Sequence, residues 1–149
     1  MIRATIAVIA GIVAWAVVAT GMDLILRATL SGYAVAEPQL HFTLGMMLAR
    51  LAVPGAVPSL AAGFITAWIS RGNGRVVILL GIVLFLVFLP SHYALWPKFP
   101  WWYHLTFLGS IFLLTACGAV IARKAFATPA ATIEPPESVS TRETPSSFG

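Results

Sequence analysis

Two histidines and a small group of charges interrupt a chain that is otherwise almost wholly apolar. His92 precedes Trp96 by four residues, and His104 follows Trp101 by three. In helices rising ~1.5 Å per residue, these offsets put both imidazoles at matched depth, ~6 and ~4.5 Å inside the tryptophans. His41 falls on the same side of the chain's apolar spans, in a polar connection close to Met46 and Met47. Imidazole is a good ligand for zinc, copper and iron, and haem takes axial histidines. One reading therefore makes His92 and His104 ligands of a metal or haem, with His41 or a methionine completing the set. The other makes them hydrogen-bonding residues at a membrane interface beside Tyr93 and Tyr103. No compact ligand spacing such as H-E-x-x-H occurs, so the second reading is preferred: no cofactor is expected, and a metal or haem is the alternative.

Asp23, Arg27 and Arg50 belong to the same polar layer. Asp23 and Arg27 are spaced i, i+4, which places them on one helix face as a pair. Arg50 stands at the outer end of the following apolar span. Ionisable groups in a membrane are costly to place and mark candidate sites.

Four apolar stretches of about 20 residues must carry these side chains: Ala4–Leu26, Leu51–Ser70, Val76–Trp96 and Trp101–Ile121. That is the length a helix needs to cross ~30 Å of hydrocarbon. With 59% hydrophobic and only 9% charged residues, the 149-residue chain reads as an all-α membrane protein, a four-transmembrane-helix bundle over residues 1–124. Its apolar first span outruns the ~7–15 residues of a secretory signal core and is expected to be a retained helix. From Ala125 to Gly149 the composition turns to Pro, Ser, Thr and Glu, and a disordered cytoplasmic tail is expected there.

The basic residues set an expected orientation. Arg3, the Arg71–Arg75 turn, Arg123 and Lys124 flank one side of the spans, and Arg27, Arg50 and Lys98 the other, together with Asp23 and Glu37. The excess of positive charge puts both termini in the cytoplasm, and the compact loops suit a bacterial inner membrane. Tyr93, Trp96, Trp101, Trp102 and Tyr103 mark the opposite interface around Pro97–Pro100, so the last two spans should form a tight antiparallel hairpin.

Association of helices in lipid relies on close packing of small residues. Gly55, Ser59, Gly63 and Ala67 recur every four residues along the second span, with Pro54, Pro58, Ala62 and Thr66 in an adjacent row. This span is expected at the centre of the bundle. Its small-residue faces are also the expected route to a homo-oligomer or a larger membrane complex. Pro54 and Pro58 should kink or locally unwind it. A stripe of Leu40, Leu44, Met47, Leu48 and Leu51 either extends the helix outward from Pro38 or lies along the surface.

Several function classes are disfavoured. The basic residues form no patch, so nucleic-acid binding is not expected despite a net charge of +4. No acidic residue lies deep in a span, as a proton-coupled exporter requires, and no nucleophile–base pair or paired carboxylates suggest catalysis. Cys117, the single cysteine, is expected to be a small residue packed between helices.

The segment Pro100-Trp101-Trp102-Tyr103-His104-Leu105-Thr106-Phe107 resembles the start of the last helix in small four-span bacterial inner-membrane proteins of unassigned function. That resemblance covers the membrane domain and brings no activity with it. The expectation is a non-enzymatic accessory or structural membrane protein with no catalytic residues. A metal- or haem-binding redox component is the alternative, and a transporter subunit the third reading.

Overall fold

The computed structural model describes residues 2–126. Helix α1 (Ile2–Thr29) is followed by a short α2 (Tyr33–Gln39). Then α3 (Leu44–Arg50) passes through a π-helical turn (Leu51–Ala56) into α4 (Val57–Ile69). Helices α5 (Gly74–Ala94) and α6 (Trp101–Ala125) complete the chain. Four continuous helical segments, Ile2–Thr29, Leu44–Ile69, Gly74–Ala94 and Trp101–Ala125, are long and apolar enough to cross a bilayer. Their outer surfaces are apolar as well: Ile6, Val13, Val17, Leu79, Leu86 and Leu113 all face outward. Such a surface suits lipid and not water. The segment expected to be a disordered tail lies, from residue 127 onward, outside the described residues, while Ala125 still belongs to α6.

Helix α4 packs between α1 and α6, as its small residues require. Gly55, Ser59, Gly63 and Ala67 are all buried, and so are Pro58, Ala62 and Thr66 from the neighbouring row. The contacts are backbone to backbone. A methyl group added to Gly63 would fall on the main chain of Thr115, and one added to Gly118 on the carbonyl of Leu60. Gly11 of α1 faces the Thr66 hydroxyl, which donates to the carbonyl of Ala7 at 3.1 Å. Leu80, Leu84 and Ile111 fill the space around this centre. The small-residue ridge of α4 is thus filled by α1 and α6 of the same chain.

Two expectations change. Cys117 is exposed on the outside of α6, since the turn that buries Gly118 and Ala119 directs it the other way. The second span starts at Leu44, where Thr43 caps the helix by accepting from the N–H of Met46 at 3.3 Å. Pro38 lies in the separate α2, so the stripe from Leu40 is split between two elements, and Leu44 and Leu48 are exposed.

The prolines act differently from one another. Pro54 has no N–H, so the α-helical bond to the carbonyl of Arg50 is lost and the helix widens to π over Leu51–Ala56. One turn on, the Ser59 hydroxyl donates to the carbonyl of Gly55 at 2.8 Å and accepts from Trp15 Nε1 at 3.2 Å. Pro58, the second residue of α4, is fully buried beside the packing ridge.

One end of the bundle carries the α5–α6 turn and is covered by α2 and the loop after it. Tyr33, Phe42, Phe99 and Tyr103 pack there in a chain of rings 4.9–5.7 Å apart. The other end carries the Arg71–Arg75 turn, where Arg71 and Gly72 both adopt positive φ (55° and 76°) to reverse the chain.

Candidate functional site

The polar side chains gather at the end carrying the α5–α6 turn. Asp23 Oδ2 accepts from Arg27 Nε at 2.9 Å, the i, i+4 pair expected from the sequence. Arg27 also reaches Glu37 at 2.8 Å, and Arg50 lies 3.7 Å from the other oxygen of Glu37. Between them stands Tyr33, fully buried, whose hydroxyl donates to Asp23 Oδ1 at 3.1 Å and accepts from Arg50 Nη1 at 2.8 Å. The Arg50 guanidinium lies 5.3 Å from the centre of the Phe42 ring, a cation–π arrangement. Two carboxylates, two guanidiniums and one phenol thus tie α1, α2 and the α3 end together with no net charge.

Burial pushes the Tyr33 phenol up to about 12, with Arg50 opposing and Asp23 and Glu37 adding to the rise. The unfolded chain releases this proton near the ordinary value of about 10, whereas the folded chain holds it. The stability contribution is therefore complete below pH 10 and declines between pH 10 and 12. The expected result is a melting temperature whose advantage over Tyr33→Phe narrows across that window. A constant gap to pH 12 would show that the phenol is not held in this way.

His92 and His104 meet. Their Nδ1 atoms are 2.8 Å apart, a hydrogen bond between rings set edge to face at 5.1 Å. One Nδ1 must donate and the other accept, so the neutral pair holds opposite tautomers. Phe107 stacks on His92 at 4.6 Å and Trp96 on His104 at 4.8 Å, fixing both rings. His104 is fully buried, and its Nε2 has no hydrogen-bond partner among the described residues.

Both groups border one cavity of about 410 Å³. Asp23, Glu37, Arg50, His92 and His104 line it together with Trp15, Phe88, Tyr103 and Phe107. Pro54 and Gly55 of the π-helical turn form part of its wall, so the widened backbone borders the space the polar groups share. His41 is exposed and does not line this cavity; it remains on the loop after α2. Met46 and Met47 pack beside the aromatic cover instead. Among the described residues, no three His, Cys, Asp or Glu side chains are placed to hold a metal ion.

The histidines were legible as a depth-matched pair, but their direct contact was not, because depth leaves the rotation of each helix free. Glu37 and Tyr33 went unrecognised as site residues. The signal for Glu37 was the presence of two arginines against one aspartate in the same layer. Tyr33 gave no signal of its own. No family model matches the chain, and no curated protein or solved structure matches it either.

Proposed function

We propose that this chain is a non-enzymatic accessory or structural protein of the membrane, in which the polar layer clasps α2 onto α1 and the end of α3 and joins the two arms of the α5–α6 hairpin. The observation that carries the reading is mutual satisfaction. Asp23 and Glu37 are matched by Arg27 and Arg50 through Tyr33, and His92 is matched by His104. No carboxylate or hydroxyl there is poised against a free base. Both termini stand on the cytoplasmic side in this reading, as the excess of basic residues at their end of the spans favours.

A second reading is favoured by one atom, the unpartnered Nε2 of His104 beside the cavity. The two Nδ1 atoms are taken up by each other, so a metal or haem iron would reach the pair through an Nε2 atom.

Protein purified in mild detergent without chelators separates the two. Under the clasp reading, iron, copper and zinc fall far below one atom per chain. His92→Phe then lowers thermal stability by about 1–3 kcal/mol, the cost of leaving a buried imidazole unpaired. A metal or haem present at one per chain, and lost in a folded His92→Phe variant, would overturn the clasp reading in favour of the redox one.

A further inference from the structure

The opposite end of the bundle holds a second cavity, of about 430 Å³, and its chemistry is different. Arg3 from the start of α1, Arg71 from the α4–α5 turn and Arg123 from the end of α6 converge on it, and no carboxylate among the described residues lines it. Both acidic residues among those described, Asp23 and Glu37, belong to the other end, where they neutralise Arg27 and Arg50. Three guanidiniums drawn from three separate elements therefore face one space without an anion from the described residues.

Two of them are held in place. Arg3 Nε donates to the carbonyl of Ile69 at 2.6 Å, which anchors the side chain over the end of α4 and leaves its terminal nitrogens unused by that bond. Arg123 runs across the glycine turn: a methyl group at Gly72 would lie 3.4 Å from its Cγ, and one at Gly74 3.3 Å from its Nη2. Helix dipoles favour cations at helix C-termini and so account for Arg71 and Arg123, but they disfavour Arg3 in the first turn of α1. Its presence adds to the concentration of charge where the local backbone opposes it. The remaining wall is aromatic. Trp68 and Phe126 stack at 5.9 Å and are 54% and 55% exposed, an apolar shelf beside the guanidiniums.

We propose that this cavity binds the phosphate of an anionic phospholipid, with Arg3, Arg71 and Arg123 around the head group and Trp68 with Phe126 against its glycerol and acyl portion. Guanidinium groups match phosphate oxygens in a bidentate fashion, and basic pockets between membrane helices recognise anionic head groups. The site lies at the ends of the spanning helices, at the level where head groups sit. A free phosphate compound would satisfy the arginines but leave the aromatic shelf unused.

The test uses the full chain in neutral detergent, with bound lipid counted by native mass spectrometry after titration with phosphatidylglycerol, phosphatidylcholine or inorganic phosphate. One phosphatidylglycerol retained per chain, in preference to phosphatidylcholine, is expected. Arg71→Gln and Arg123→Gln should each weaken retention about fivefold. Arg75→Gln with Lys124→Gln removes two charges from the same end but outside the cavity wall, and should leave the count unchanged. Circular dichroism on each variant establishes that the bundle is intact. Equal retention of both lipids, equal losses in both variant sets, or no retained lipid would overturn the proposal. Binding of inorganic phosphate that excludes phosphatidylglycerol would overturn the lipid assignment in favour of a soluble phosphate compound.

Discussion

Gly63→Leu is expected to destroy the folded bundle, giving no monodisperse species in mild detergent. The added side chain would have to occupy the space taken by the backbone of Thr115, which a rotamer change cannot vacate. Overpacking by single methylenes costs typically about 1–3 kcal/mol in well-packed interiors. Here the intrusion is larger, and it separates α4 from α6, which the small-residue ridge holds at close approach. Gly63→Ala is the graded version and should lower the melting temperature clearly. Gly21→Ala and Gly109→Ala are the controls, because nothing lies within 4 Å of a methyl group at either position. Size-exclusion profiles and thermal melts of the four variants decide the matter. A Gly63→Leu protein with wild-type elution and melting temperature would refute the close contact of α4 with α6.

Arg50→Leu is expected to cost about 2–3 kcal/mol, below the roughly 3–5 kcal/mol of a fully buried pair because the Arg50 side chain keeps 33% of its exposure. The loss has three parts: the donor to the Tyr33 hydroxyl, the partner of Glu37 and the cation over Phe42. It also leaves two carboxylates against one guanidinium. Adding Glu37→Gln restores electroneutrality and should return part of the stability, so the double variant melts above the sum of the two single losses. Strict additivity would mean that Arg50 and Glu37 do not share a network.

The main architecture was readable because it rests on one-dimensional signals. Apolar length gives the spans, aromatic belts give the α5–α6 hairpin, and the four-residue recurrence from Gly55 to Ala67 gives the packing ridge of α4. The pairing of Asp23 with Arg27 was readable for the same reason, since both lie on one helix. What escaped depends on rotation about helix axes and on contacts between distant segments. Cys117 was expected inside and lies outside because it follows the buried Thr115 by two residues, which is over half a turn around α6. His41 was grouped with the other histidines by side of the membrane, but α2 carries its loop away from them. Tyr33 joins Asp23 to Arg50 across 10 and 17 residues, and no local pattern announces it.

The uneven placement of charge fixes how the molecule behaves over time. Arg3, Arg71, Arg75, Arg123 and Lys124 all stand at one end of the bundle, and both described carboxylates stand at the other. For the inserted protein to turn over, those five cations would have to pass through hydrocarbon, at about 2.5–3.5 kcal/mol each on insertion scales. The barrier is on the order of 15 kcal/mol from these groups alone, before any loss of packing. Turnover would also have to undo the contacts of α4 with α1 and α6, so charge and packing together oppose any change of orientation after insertion.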